Sequence, residues 1–238
     1  MNRHLVSAIF CSVVFLMTLA VQGQEEMPRV LILGDSNYQQ PSNEITKALK
    51  GKAKVVFPRL EQGQVLNSTY LLQNLDEILG DTEWDLIHFN VGLGDLIYCL
   101  PDSRSFRVLP PLAGGVRATS AESYRKNLEE LVPLLKNKCQ HLIWANTTPI
   151  RHSATGVFLK GSEVEYNRIA ALVMEKNGVP INDMHAFVSS VIDMNKPAAH
   201  GADPFSFDRK PIHGPVLKRI TQKLEISTDV QLPANQRQ

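Results

Sequence analysis

The sequence predicts an α/β fold, a parallel sheet with helices on both faces. Three observations carry that prediction. Short apolar runs alternate with stretches of helical period along most of the chain. The run at residues 85–89 is near-continuously apolar, as a central parallel strand requires, rather than alternating like a strand with one wet face. At 238 residues the chain is long enough to bury a sizeable core in one domain, and it shows no internal repeat.

The elements follow in order. Arg29–Leu33 is the first strand, and its helix runs from Asn37 or Pro41 to Leu49. Residues 53–57 form the second strand, and residues 69–79 a helix whose inner stripe is Leu71, Leu72, Leu75, Ile78 and Leu79. After the third strand, residues 97–118 are rich in Pro and Gly and lack any period, which reads as a functional or disordered loop. Thr119-Ser120-Ala121-Glu122 reads as a capping box opening a helix that continues to Asn137. Residues 142–145 are the fourth strand. A helix from Ser162 to Asn177 stops at Gly178, which fits a left-handed cap. Residues 179–182 make a short edge strand, and helices at 186–192 and 215–224 complete the domain.

Residues 1–23 stand outside that domain and read as an export signal. Arg3 and His4 are the positive segment, residues 5–20 the apolar one, and Val21-Gln22-Gly23 places small residues at the cleavage site. A membrane anchor is the rival reading, but the apolar run is short and Gln22, Gln24, Glu25 and Glu26 follow it at once. Cys11 lies inside the run, not at its end, which argues against a lipoprotein signal. The expected location is therefore secreted or periplasmic, with no stable membrane association once the signal is cleaved. The folded domain spans 24–226, and 227–238 reads as a polar, disordered tail.

Charge and cysteine content exclude several classes. With 25 basic and 24 acidic residues there is no field to gather polyanions, so nucleic acid is not an expected partner. Export permits a disulfide, but Cys99 and Cys139 read as two free, partly buried thiols. No histidine has the spacing of a metal site, and no Gly-rich phosphate loop is present.

In open α/β sheets, ligands bind beyond the carboxyl ends of the strands. Three of those ends are polar and turn-forming: Asp35-Ser36, the run from Asn90 to Asp95, and Asn146-Thr147-Thr148-Pro149. Ser36 is the outstanding residue among them. On a strand-to-helix turn its Oγ is lifted clear of the sheet, where backbone N–H groups and the helix dipole converge. A serine that attacks an ester needs those donors in place for the oxyanion. It also needs a base, and His213 stands just before the last amphipathic stretch.

Gly34-Asp35-Ser36, then Gly92-Leu93-Gly94-Asp95 after an apolar strand, then a histidine before the final helix, resembles the SGNH/GDSL hydrolase family. The similarity covers most of residues 29–224. It implies a flavodoxin-like three-layer αβα sandwich and serine esterase or acylhydrolase chemistry, often the removal of acetyl groups from carbohydrates. The implied partner is a small-molecule or glycan acyl ester, and no metal or organic cofactor is implied.

Carried over residue by residue, the resemblance makes Ser36 the nucleophile and His213 the base. The histidine block usually reads Asp-x-x-His, but Lys210 stands three before His213, so Asp208 is the expected orienter, ahead of Asp203. The oxyanion hole is expected from the N–H of Ser36 and of Gly63, whose match to the second block is offset. The third block usually reads Gly-x-Asn-Asp, and here Gly94 replaces the donor asparagine. Losing such a donor costs about 2.7–4 kcal/mol of transition-state stabilisation elsewhere. Asn90 or Asn146 is the expected substitute. Asp35, Asn146 and Arg117 are candidate substrate-binding residues, and the 97–118 loop, with Tyr98, Phe106, Pro110 and Pro111, is expected to shape the pocket.

Each of these residues also has a plain structural reading. Ser36 caps helices well for reasons unconnected with catalysis. Asp35 suits a turn, Asp95 suits bracing a loop, and His88 suits a satisfied core position. The rival function is a glycan-binding or scaffold protein that keeps the hydrolase fold without the chemistry.

Overall fold

The computed structural model describes residues 26–61, 63–101, 103, 106–150, 156–193 and 210–227. The export signal, Asp203, Asp208 and the tail beyond residue 227 lie outside the described residues. Five parallel strands form the central sheet: β1 (Arg29–Leu33), β2 (Lys54–Val56), β3 (Trp84–Phe89), β6 (Cys139–Ala145) and β7 (Ile181–Asn182). Their spatial order is β2-β1-β3-β6-β7, the flavodoxin-like arrangement. Strands β4 (Tyr98–Cys99) and β5 (Val116–Arg117) form a separate antiparallel pair.

Helices cover both faces, so the molecule is a three-layer αβα sandwich. Because successive strand residues point to opposite faces, β1 sends Val30 and Ile32 one way and Leu31 and Leu33 the other. The first face packs on α1 (Gln39–Ala48), α7 (Met184–Val191) and α8 (His213–Lys223). On the second lie α2 (Ser68–Gln73), α3 (Leu75–Leu79), α5 (Ala121–Asn137) and α6 (Ser162–Lys176). The short α4 (Leu93–Leu96) follows β3 at the crevice.

Several boundaries differ from the sequence reading, each for a local reason. The expected helix at 69–79 is two helices. Asn74 leaves helical backbone geometry between them, and its side-chain amide donates to the Tyr70 carbonyl. The loop expected at 97–118 contains regular structure among its described residues: β4 and β5 pair, and Cys99 also bridges to Val108. Helix α5 starts one residue later than a capping box at Thr119 requires, with Ser120 Oγ accepting the Ser123 N–H. Gly178 does end α6 in the left-handed region, at φ 64°. Both cysteines are free.

His88 is a core histidine. In the middle of β3 it is fully buried, and Asn182 Nδ2 lies 3.1 Å from its Nε2. Burial lowers its pKa to about 3, so the ring is neutral at any working pH. Among the described residues no helix is long and apolar enough to cross a membrane.

Candidate active site

Ser36 is exposed while the residues around it are not. Asp35, Asn37 and Tyr38 are all buried. The turn is built to give that result. Asp35 caps it, its Oδ1 accepting the Asn37 N–H at 2.8 Å, and the Tyr38 N–H closes onto the Asp35 carbonyl at 3.0 Å. Gly34 lets the Tyr38 ring fold back beneath the strand, since a Cβ there would stand 2.6 Å from Tyr38 Cγ. Asn37 reaches across to the segment that follows β6, donating from Nδ2 to Thr148 Oγ1 at 3.2 Å.

The end of β3 is buried throughout. Asn90 is fully enclosed, its Nδ2 donating to the Ala145 carbonyl at 2.9 Å. Gly94 packs face-on against the preceding loop. A Cβ there would stand 2.0 Å from the Leu66 carbonyl oxygen, so the asparagine of the related motif does not fit this backbone. Asp95 accepts hydrogen bonds from the Ser68 N–H and from the Ser68 hydroxyl, joining this turn to the start of α2. Burial raises its pKa to about 6, against the lowering effect of those donors. Asn127 of α5 holds the same serine, donating to Ser68 Oγ at 2.9 Å.

Other candidates take up structural contacts. Asn146 has both ends of its amide engaged, Oδ1 by the His185 N–H and Nδ2 by Asp183 Oδ1. Arg117 is packed between Tyr98 and Tyr166, with its guanidinium 5.9 and 5.4 Å from the ring centres and 3.6 Å from Glu165. It pins the β4–β5 pair onto α6. Gly63 is exposed on the loop before α2 and adopts φ 86°, which suits glycine.

His213 opens α8 at the same edge as Ser36. Two contacts fix this. The far end of α8 runs on to Ser227, whose carbonyl accepts from Lys52 just before β2, so that end lies at the amino edge of the sheet. The turn at residues 210–212 packs against α1, the helix into which the Ser36 turn continues. The elements carrying the serine and the histidine are therefore neighbours. No residue of the sequence reading suggested Glu163 or His185, which meet beyond the end of β6. Among the described residues no three His, Cys, Asp or Glu side chains group as metal ligands.

Solved structures of the same architecture are numerous. The lipase/acylhydrolase from Enterococcus faecalis aligns at TM-score 0.59 and 14% identity, over 86% of this chain and 100% of that one. The acetylxylan esterase Axe2 from Geobacillus stearothermophilus aligns at TM-score 0.58 and 13% identity, covering 84% and 95%. The acetyl xylan esterase AlAXEase gives TM-score 0.57 and 12% identity, covering 81% and 99%. No protein-family model matches the chain, and no curated protein matches it in sequence. The fold is of the SGNH/GDSL hydrolase type.

Proposed function

We propose that this chain is an exported serine ester hydrolase that removes small acyl groups, acetyl above all, from a carbohydrate. One observation carries the reading: Ser36 is the exposed member of an otherwise buried turn at the carboxyl edge of the sheet. The capping role falls instead to Asp35, whose Oδ1 accepts the Asn37 N–H. The fold's likeness to acetylxylan esterases and an acylhydrolase supports the reaction class.

In the proposed reaction, Ser36 Oγ attacks the ester carbonyl as His213 takes its proton. The tetrahedral intermediate collapses, the sugar hydroxyl leaves with the proton held by His213, and the acyl group remains on Ser36. Water, deprotonated by the same histidine, then releases the carboxylic acid and restores the serine. Asp208 orients the imidazole. The N–H groups of Ser36 and Gly63 meet the oxyanion. Gly94 offers only its backbone N–H there, and Asn90 has one amide hydrogen beyond that given to Ala145. Asp35, Asn146 and Arg117 act on substrate indirectly, by holding the walls of the crevice.

A second reading is a glycan-binding protein of the same fold without turnover. The close contact of Gly94 with Leu66 favours it, because that contact leaves no room for the usual side-chain donor. Reaction with a fluorophosphonate separates the two. The hydrolase reading expects one covalent label on Ser36, lost in Ser36→Ala and in His213→Ala. A folded wild-type chain that takes no label overturns it in favour of the binding protein.

A further inference from the structure

The β4–β5 pair turns an aliphatic face to solvent, and we infer that this face docks the domain onto a lipid surface bearing anionic headgroups. The inference does not rest on catalysis at Ser36. Cys99 lies opposite Val116 on one side and Val108 on the other, so the three side chains form a row on one face. Tyr98 and Arg117, the next pair, point the other way, and there Arg117 lies over the rings of Tyr98 and Tyr166. A sheet with one packed face ordinarily turns polar residues to water on the other. Here Val108 and Val116 are instead 53% and 46% exposed. Leu112, in the short turn Pro111–Ala113 between them in the chain, is fully exposed, and Leu100 is exposed as well. Four of the eleven large apolar side chains exposed among the described residues thus fall within residues 100–116. Clustered in this way they mark an interaction surface, where the same residues scattered singly would not.

The chemistry of the face selects its occupant. Protein interfaces centre on Tyr, Trp and Arg rather than on Leu and Val, and among the described residues of 97–118 no aromatic is exposed. A second copy of this chain would need roughly 20–30 residues a side for a stable interface, far more than this face offers. Acyl chains ask only for apolar area, and an aliphatic knob such as Leu112 gains it by entering the layer beneath the headgroups. Charge agrees. Residues 97–118 hold Arg104, Arg107 and Arg117 against Asp102 alone, in a chain whose formal net charge is +1. Arg117 is turned inward, but Arg107 is exposed beside Val108, where an anionic headgroup can meet it.

The pair is rooted beside the crevice. The Ala118 N–H donates to the Ile97 carbonyl and the Thr119 N–H to the Asp95 carbonyl, so β4 and β5 rise from the turn at the end of β3. That is the carboxyl edge of the sheet, where Ser36 is also exposed. Taken with the hydrolase reading, docking there brings Ser36 to carbohydrate carried by the membrane. The contact is peripheral: a few aliphatic side chains give a reversible partition, and among the described residues no helix is long and apolar enough to cross a bilayer.

The test is co-sedimentation of residues 24–238, which hold every described strand and helix, with phosphatidylcholine vesicles made with and without phosphatidylglycerol. The chain should partition onto the anionic vesicles, and Leu112→Asp should weaken that partition about tenfold or more. Leu172→Asp, the same change at an exposed leucine of α6, should leave it unaltered. Arg107→Glu should weaken binding to the anionic vesicles about fivefold and leave binding to the neutral ones as it was. No partition onto anionic vesicles, or a loss in Leu112→Asp no greater than in Leu172→Asp, overturns the inference. So does a dimer in light scattering that Leu112→Asp dissociates, since a second copy would then cover the face. Fluorophosphonate labelling reads Ser36 separately: vesicle binding without labelling keeps the docking face and rejects the catalytic reading, and labelling without vesicle binding does the reverse.

Discussion

Gly34-Asp35 and Gly94-Asp95 are the same dipeptide at the carboxyl ends of adjacent strands, yet they do opposite things. Asp35 folds onto its own turn and accepts the Asn37 N–H, which leaves the next residue, Ser36, standing out into solvent. Asp95 reaches away from its turn to Ser68, and every residue from Gly92 to Leu96 is buried. One turn presents a side chain; the other clamps two loops together. The difference lies in what each aspartate accepts from, a local N–H in the first case and a distant serine in the second.

The comparison can be broken at three points. Asp95→Ala should have the largest effect, leaving the Ser68 N–H and hydroxyl buried without an acceptor. The expected loss is about 3 kcal/mol, lowering Tm by roughly 6–12 °C in a chain of this size. Asp95 also predicts a pH dependence. Its pKa rises from 3.8 to about 6 on folding, so the folded state holds the proton more tightly than the unfolded chain. Its contribution to stability is greatest below pH 3.8 and declines until about pH 6, by about 3 kcal/mol in all. Urea unfolding near pH 4 and near pH 7 should show that decline in the wild type and not in Asp95→Asn.

A smaller loss, about 2 kcal/mol, is expected for Gly94→Ala, because the new methyl group meets the Leu66 carbonyl. Denaturant midpoints check it, and an unchanged midpoint would mean that the loop yields freely. Smallest is Asp35→Ala, which removes one cap at a cost of about 1 kcal/mol. Its Tm should fall by less than that of either other variant. Equal losses at Asp35 and Asp95 would erase the contrast between the two turns.

Much of the fold was legible because parallel strands are written as contiguous apolar runs. Arg29–Leu33 and the core of β3 needed nothing further. The β4–β5 pair was not legible. Strands of two residues carry no period, and their contacts with each other and with α6 are tertiary. The break at Asn74 was hidden for a related reason, since the leucine stripe continues across it unbroken. At the site, Ser36 announced itself by following an apolar strand, and Asp95 was readable as a brace. Glu163 was not, because a glutamate in the first turn of a helix is an ordinary surface residue in sequence. Only the approach of Ile150 and His185 makes it a buried one.

The chain enters and leaves the described domain on one side. Residue 28 pairs with Lys54 at the start of β2, and Ser227 is held by Lys52 a few residues earlier. Both ends therefore emerge at the amino edge, with the crevice at the opposite pole. A linker, carrier module or solid support attached at either end leaves the mouth of the crevice facing outward. For the hydrolase proposed above, arrays of this domain on a bead or a scaffold would keep every Ser36 turn open to a polymer too large to diffuse between them.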